Sequence, residues 1–215
     1  MLFSRVLLFL FFIPPLCPTL KAQFSEETLL FLFIYNSEQT ESGAGHISYA
    51  FGRDSTDLFY YSKYRRHDGG AKKASHLTLD KAFHFDKDSL CLQQRFPCLV
   101  IRLKSKQISS EEIERLSDHW NLDEPWTLFI NNCTDAVKRI LRATKINPGM
   151  AFLISTPNEL VEDLVYHNVQ QFRSHDFKVL VGDLCHYLKN ERNAVPQVLF
   201  GKRKKRNKKV EGVCF

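Results

Sequence analysis

The sequence predicts an α+β domain, on three observations. Short runs rich in β-branched and aromatic residues recur through its first half, and Ser/Thr capping boxes open helices in its second half. One stretch, Trp126 to Leu141, joins the two patterns: a β-prone run stops at Asn131-Asn132-Cys133, and a helical spacing begins. At 215 residues, 44% hydrophobic and 25% charged, the chain has the makeup of one core-forming domain.

The first residues stand apart from that domain. Arg5 supplies a positive start, Val6 to Ile13 an apolar run too short to span a bilayer, and Pro14-Pro15 a break. Residues 1–22 therefore read as a secretion signal cleaved after Ala22 rather than as a membrane anchor. A lipoprotein site at Cys17 is the weaker reading, because Leu16 stands where a small residue is wanted. Residues 23–200 form the domain and 201–215 a basic tail. The formal charge of +6 belongs mostly to that tail, which holds seven Lys and Arg against Glu211, while the body carries 21 basic and 23 acidic residues. Such a tail suits an anionic membrane surface, or is simply a solvated end; export argues against nucleic acid.

In chain order, Leu29 to Tyr35 reads as a buried strand and Asn36 to Gly43 as a polar turn. Gly43-Ala-Gly-His46 then opens a strand in which Ile47, Tyr49 and Phe51 alternate with Ser48 and Ala50. Leu58 to Ser62 is a third strand, and Lys63 to Ser75 a loop bordering a cleft. His76 to Leu79 and Cys98 to Leu103 are further strands. Ser109 to Glu112 opens a helix through Ile113, Leu116 and Trp120, ending near Asn121. Asn147-Pro-Gly149 is a turn, and Thr156-Pro-Asn-Glu159 opens another helix with proline in its first turn. Phe177 to Val181 reads as a strand and Asp183 to Lys189 as helical.

The helix after Asn132 carries Ala136, Val137, Ile140 and Leu141 on one buried face. Asn131 or Asn132 would cap it. Cys133 then lies in the first turn, where the helix dipole favours thiolate over thiol. After cleavage the chain would keep Cys91, Cys98, Cys133, Cys185 and Cys214, an odd number for an oxidising compartment. One of several pairings, Cys91–Cys98 with Cys185–Cys214, leaves Cys133 as the thiol.

A thiol nucleophile needs a base, and His46 at the start of its strand could meet Cys133 if the helix packs across the sheet. His76 and His84 are its rivals; His67, His119, His167, His175 and His186 lack a comparable setting. No zinc spacing, phosphate loop, paired-carboxylate signature or Gly-x-Ser-x-Gly elbow is present, so no cofactor or metal is called for.

Gly45-His46 opening a strand, followed much later by Asn132-Cys133-Thr134 opening a helix, resembles the circularly permuted branch of the papain-like superfamily. That branch holds NlpC-type amidases and lecithin:retinol acyltransferase-like enzymes. The downstream block is similar, more narrowly, to the bacterial periplasmic Lnb-type lipoprotein N-acyltransferases. The resemblance spans residues 29 to 165. It implies a permuted papain-like fold, a small antiparallel sheet with packed helices and the catalytic Cys133 at a helix N-terminus. In it His46 is the base, and amides near Cys133 and Thr134 serve an oxyanion. It also implies a third group orienting the histidine; on the following strand only Tyr60 and Ser62 are available. Asn132 would lend a donor to the oxyanion or cap the helix, with capping favoured. The expected protein is an exported, periplasmic or secreted thiol amidase, peptidase or acyltransferase acting on a cell-wall peptide, lipid or lipoprotein. The other class is an envelope-binding protein that works through its basic tail.

Overall fold

The structure is a computed structural model that describes residues 27–40, 45–64, 70–89, 96–105, 108–127, 131–149, 156–194 and 213. The leader 1–22 and all of the basic tail except Val213 lie outside these residues. An antiparallel sheet of six strands organises the rest. In chain order its strands are β1 (Thr28–Tyr35), β2 (His46–Gly52), β3 (Leu58–Lys63), β4 (Ala71–Leu77), β5 (Leu99–Ser105) and β6 (Phe177–Val181). Their spatial order is β4-β3-β2-β1-β5-β6. The helices are α1 (Leu79–Ser89), α2 (Ser110–Asp118), α3 (Cys133–Ala143), α4 (Pro157–His167), α5 (Val169–Arg173) and α6 (Leu184–Ala194).

Strand alternation divides the core in two. On one face Leu30, Leu32, Ile34, Ile47, Tyr49, Phe51, Leu99 and Ile101 pack under Ile113 of α2, Val137, Ile140 and Leu141 of α3, Leu160 and Leu164 of α4, and Leu188 of α6. On the other, Phe31, Phe33, Tyr35, Ala50, Tyr60 and Val100 pack against Ala82 and Phe83 of α1. Both faces of β1 are covered, which is why Leu29 to Tyr35 reads as unbroken apolar sequence rather than as an alternation. No helix among the described residues is long and apolar enough to cross a membrane.

Three expectations are corrected. The predicted loop from Lys63 to Ser75 contains most of β4, an edge strand whose lysines Lys72 and Lys73 gave it a solvent-exposed look; charged residues are how exposed edges avoid further pairing. The predicted strand His76 to Leu79 is instead the end of β4 and the start of α1, with His76 in a left-handed conformation (φ 58°) beside a register shift. Helix α1 had no counterpart in the sequence reading, because its fully buried described residues, Ala82 and Asp86, lie one turn apart and Asp86 is not apolar.

The remaining elements follow their local signals in part. Ser109 accepts from the Glu112 amide and caps α2, but the Glu112 carboxylate turns to Arg115 instead of closing the box. α2 runs into a π-helical turn, His119–Asp123. Of the apolar approach to Cys133, 128–130 lie outside the described residues, and the flanking Thr127 and Asn131 make an isolated antiparallel bridge. Thr156 and Glu159 form a reciprocal capping box on α4. Cys98 carries a thiol, against the pairing with Cys91, and its Sγ donates to Ile34 O at 3.3 Å. Cys185 is disulfide-bonded, its partner lying outside the described residues, and Val213 packs against the larger core.

Candidate active site

The start of β2 and the start of α3 meet at one end of the sheet. Gly45 sets the approach to β2. Its φ is +77°, and a Cβ there would stand 2.8 Å from Tyr35 O, so an L side chain would be both strained and crowded. Its N–H donates to Thr40 Oγ1 at 3.0 Å. His46, the next residue, pairs with Tyr35 across the β1–β2 ladder, and its ring tilts against the Tyr35 ring at 5.9 Å.

Asn132 settles into the capping role. Its side-chain oxygen accepts from Thr134 N at 2.8 Å and Asp135 N at 3.0 Å, and the Asp135 carboxylate accepts from Asn132 N at 3.2 Å. The expected oxyanion amide on Thr134 is thereby corrected, because that N–H is already committed to the cap. In the first turn the Cys133 N–H is the one the cap leaves over. Asn131 donates instead to Pro125 O at 2.7 Å, tying the junction to the connector before it.

Cys133 is a half-buried free thiol. Burial pushes its pKa up, but the hydrogen bond and charge of His46, a hydrogen bond from the Ile47 backbone and one from Thr134 outweigh this and hold it below the ordinary thiol value. The converse holds for His46. Burial favours its neutral form, yet its hydrogen bond to Cys133, the thiolate charge and the Asp86 carboxylate raise it above the ordinary imidazole value. The two side chains, 87 positions apart in sequence, thus stabilise each other in the imidazolium–thiolate state.

The far side of the imidazole departs in part from expectation. Ser62 Oγ lies 3.0 Å from His46 Nε2, so Ser62 does hold the ring. The Tyr60 hydroxyl turns to a carboxylate, donating to Asp86 Oδ2, as does Ser48 Oγ at 2.7 Å. Asp86 is the residue the sequence reading missed. It is fully buried, and its Oδ2 stands 3.8 Å from His46 Nε2. Two hydroxyls hold this carboxylate where it favours the charged imidazole. The pairing Ala82/Asp86 at one-turn spacing, preceded by strands bearing Ser48 and Tyr60 on one face, was the available signal.

The rival histidines lie elsewhere. His76 is exposed and pairs with Asp57 at 3.0 Å, and His84 stacks edge-on with Phe96. Among the described residues no three His, Cys, Asp or Glu side chains are grouped to hold a metal ion. Comparison with protein-family models, curated proteins and solved structures finds no match for this chain. The functional reading therefore stands on the residues themselves.

Proposed function

We propose that this protein is a cysteine-dependent acyl-transfer enzyme of the permuted papain-like kind, exported to act on amide or ester substrates of the cell envelope. The observation that carries the reading is the meeting of Cys133, at the capped start of α3, with His46, whose Nε2 lies 3.0 Å from Ser62 Oγ and 3.8 Å from Asp86 Oδ2, a pair in which each side chain favours the other's charged form. In the reaction the thiol proton passes to His46, and the sulfur attacks a carbonyl carbon to give a tetrahedral oxyanion facing the Cys133 N–H. The imidazolium then protonates the leaving amine or alcohol, and an acyl-enzyme remains. Water as acceptor makes the protein an amidase or peptidase; an amine makes it an acyltransferase. Ser62 and Asp86 orient the ring and favour its protonated state, and Asn132 keeps Cys133 at the helix start.

Alkylation by iodoacetamide as a function of pH tests the pair. Cys133 should reach half-maximal reactivity below the ~8.5 of an ordinary thiol, and His46→Ala should return it toward that value. A screen with a lipid ester, a lipoprotein mimic and a muropeptide then identifies acyl donor and acceptor. A Cys133 thiol of ordinary pH dependence, with no acyl-enzyme from any of the three, would refute the enzyme and favour an envelope-binding protein acting through its tail.

A further inference from the structure

Lys63 is a charged side chain buried in the core, outside the cluster around Cys133 and His46. It ends β3, directly after Ser62, and is 1% exposed. Alternation turns it to the opposite face from Ser62, and the β2–β3 register, carried one residue past Ser48–Ser62, sets it opposite Ile47. Its ammonium donates to Trp120 O at 2.7 Å, Glu124 O at 2.7 Å and Asn121 O at 3.4 Å. These carbonyls belong to the π-helical turn His119–Asp123 and its exit, whose last C=O groups have no partners within the turn. Three protons meet three acceptors, which leaves none for acid–base work. The group acts as a clamp.

What it clamps is the connector to the thiol. From Glu124 the chain passes through Pro125, whose carbonyl accepts from Asn131, and reaches Asn132 and Cys133 a few residues later. The Glu124 carboxylate also accepts from Arg139 of α3 at 2.6 Å, so the same turn is tied to the cysteine helix itself. Lys63 therefore links β3, whose Ser62 contacts the His46 ring, to the segment that leads to the cysteine.

We propose that Lys63 is a positioning residue for Cys133: by fixing the Trp120–Glu124 turn to the end of β3 it sets the sulfur against His46. This rests on the pair described above but not on its catalytic use. Burial lowers the Lys63 pKa to about 8, with Glu124 opposing that shift and Arg139 adding to it. Above that pH the neutral amine keeps two donors for three buried carbonyls, and the clamp weakens.

The test uses the full chain, with hydrogen exchange of peptides covering 119–127 and the pH dependence of Cys133 alkylation by iodoacetamide. Lys63→Met should lower protection of the connector at pH 7 about tenfold or more. It should also shift the alkylation midpoint of Cys133 upward, toward the ordinary thiol value, while α4 and α6 keep their protection. Lys63→Arg, which retains a cation with donors, should restore most of both. In the wild type, connector protection should drop as pH rises through about 8 after correction for intrinsic exchange; this arm decides the matter if Lys63→Met does not fold. Unchanged connector protection in a folded Lys63→Met, or protection constant to pH 9.5 in the wild type, overturns the proposal. An ordinary thiol midpoint in the wild type instead defeats the Cys133–His46 reading, and the exchange data then judge the clamp alone.

Discussion

Asp86→Asn isolates the charge behind His46 with little change of shape. Oδ2 accepts from Ser48 and Tyr60, and an amide oxygen accepts both as well. Oδ1 accepts no hydrogen bond, so an amide nitrogen in its place displaces none. What disappears is a negative charge 3.8 Å from Nε2. At an effective dielectric of about 20 two unit charges at that separation attract by about 4 kcal/mol. The Ser62 hydrogen bond survives, and relaxation around the site recovers part of the loss. About 1.5–3 kcal/mol is then the working figure, or roughly a 10- to 100-fold smaller imidazolium–thiolate population at 1.4 kcal/mol per decade. The assay follows mass gain on the Cys133 peptide during iodoacetamide treatment at pH 6, where the pair supplies most of the thiolate, and at pH 10, where any thiol ionises. The variant should be slower by that factor at pH 6 and equal to wild type at pH 10, with an unchanged urea midpoint. A folded variant that alkylates at the wild-type rate at pH 6 refutes the role of the carboxylate.

Two further substitutions test the placement of the pair. Gly45→Ala forces a Cβ to 2.8 Å from Tyr35 O at φ +77°, and should cost about 1–3 kcal/mol, seen by calorimetry as a melting temperature lowered by about 2–10 °C. It should also slow Cys133 alkylation at pH 6, because the strain is released by moving His46; an unchanged melting temperature would remove the argument for that backbone. Asn132→Ala deletes the bonds to the Thr134 and Asp135 amides and should lower stability by about 1–2 kcal/mol in urea titrations. A loss under a few tenths would mean that the cap contributes little to α3.

The site was legible where its chemistry coincides with a local backbone signal. Cys133 stood out because a helix must begin after an apolar run and Asn132 is a residue type that starts helices. His46 stood out because two glycines precede it and an alternating strand follows. Ser62 was found on the right strand, and Tyr60 beside it was assigned one contact too near, to the imidazole rather than to its carboxylate. Asp86 and Lys63 were illegible for a shared reason. A charge that faces the core breaks the apolar periodicity by which helices and strands are read, so α1 lost its stripe and Lys63 passed for the first residue of a loop. Their roles appear only once long-range pairing brings Asp86 under β2 and the Trp120–Glu124 turn over β3.

That long-range pairing also explains why the histidine has to be the first residue of its strand. Alternation aims His46 at the α1 side of the sheet, together with Ser48 and Ala50, where Asp86 and Ser62 receive it. Cys133 belongs to the opposite layer, packed with Ile47 and α3 in the larger core. A histidine in the middle of β2 would see one layer only, since the sheet itself would separate it from the other. His46 forms the last rung of the ladder with Tyr35, and at that end of the strand the ring can meet a carboxylate on one side and a sulfur on the other. The Ile47 backbone hydrogen bond to the sulfur fits this geometry, because it marks the point where α3 begins directly over the end of β2. The crowded turn at Gly45 and the clamp at Lys63 bracket that point from β2 and β3, which is where a misplacement of about 1 Å would separate the imidazole from the sulfur.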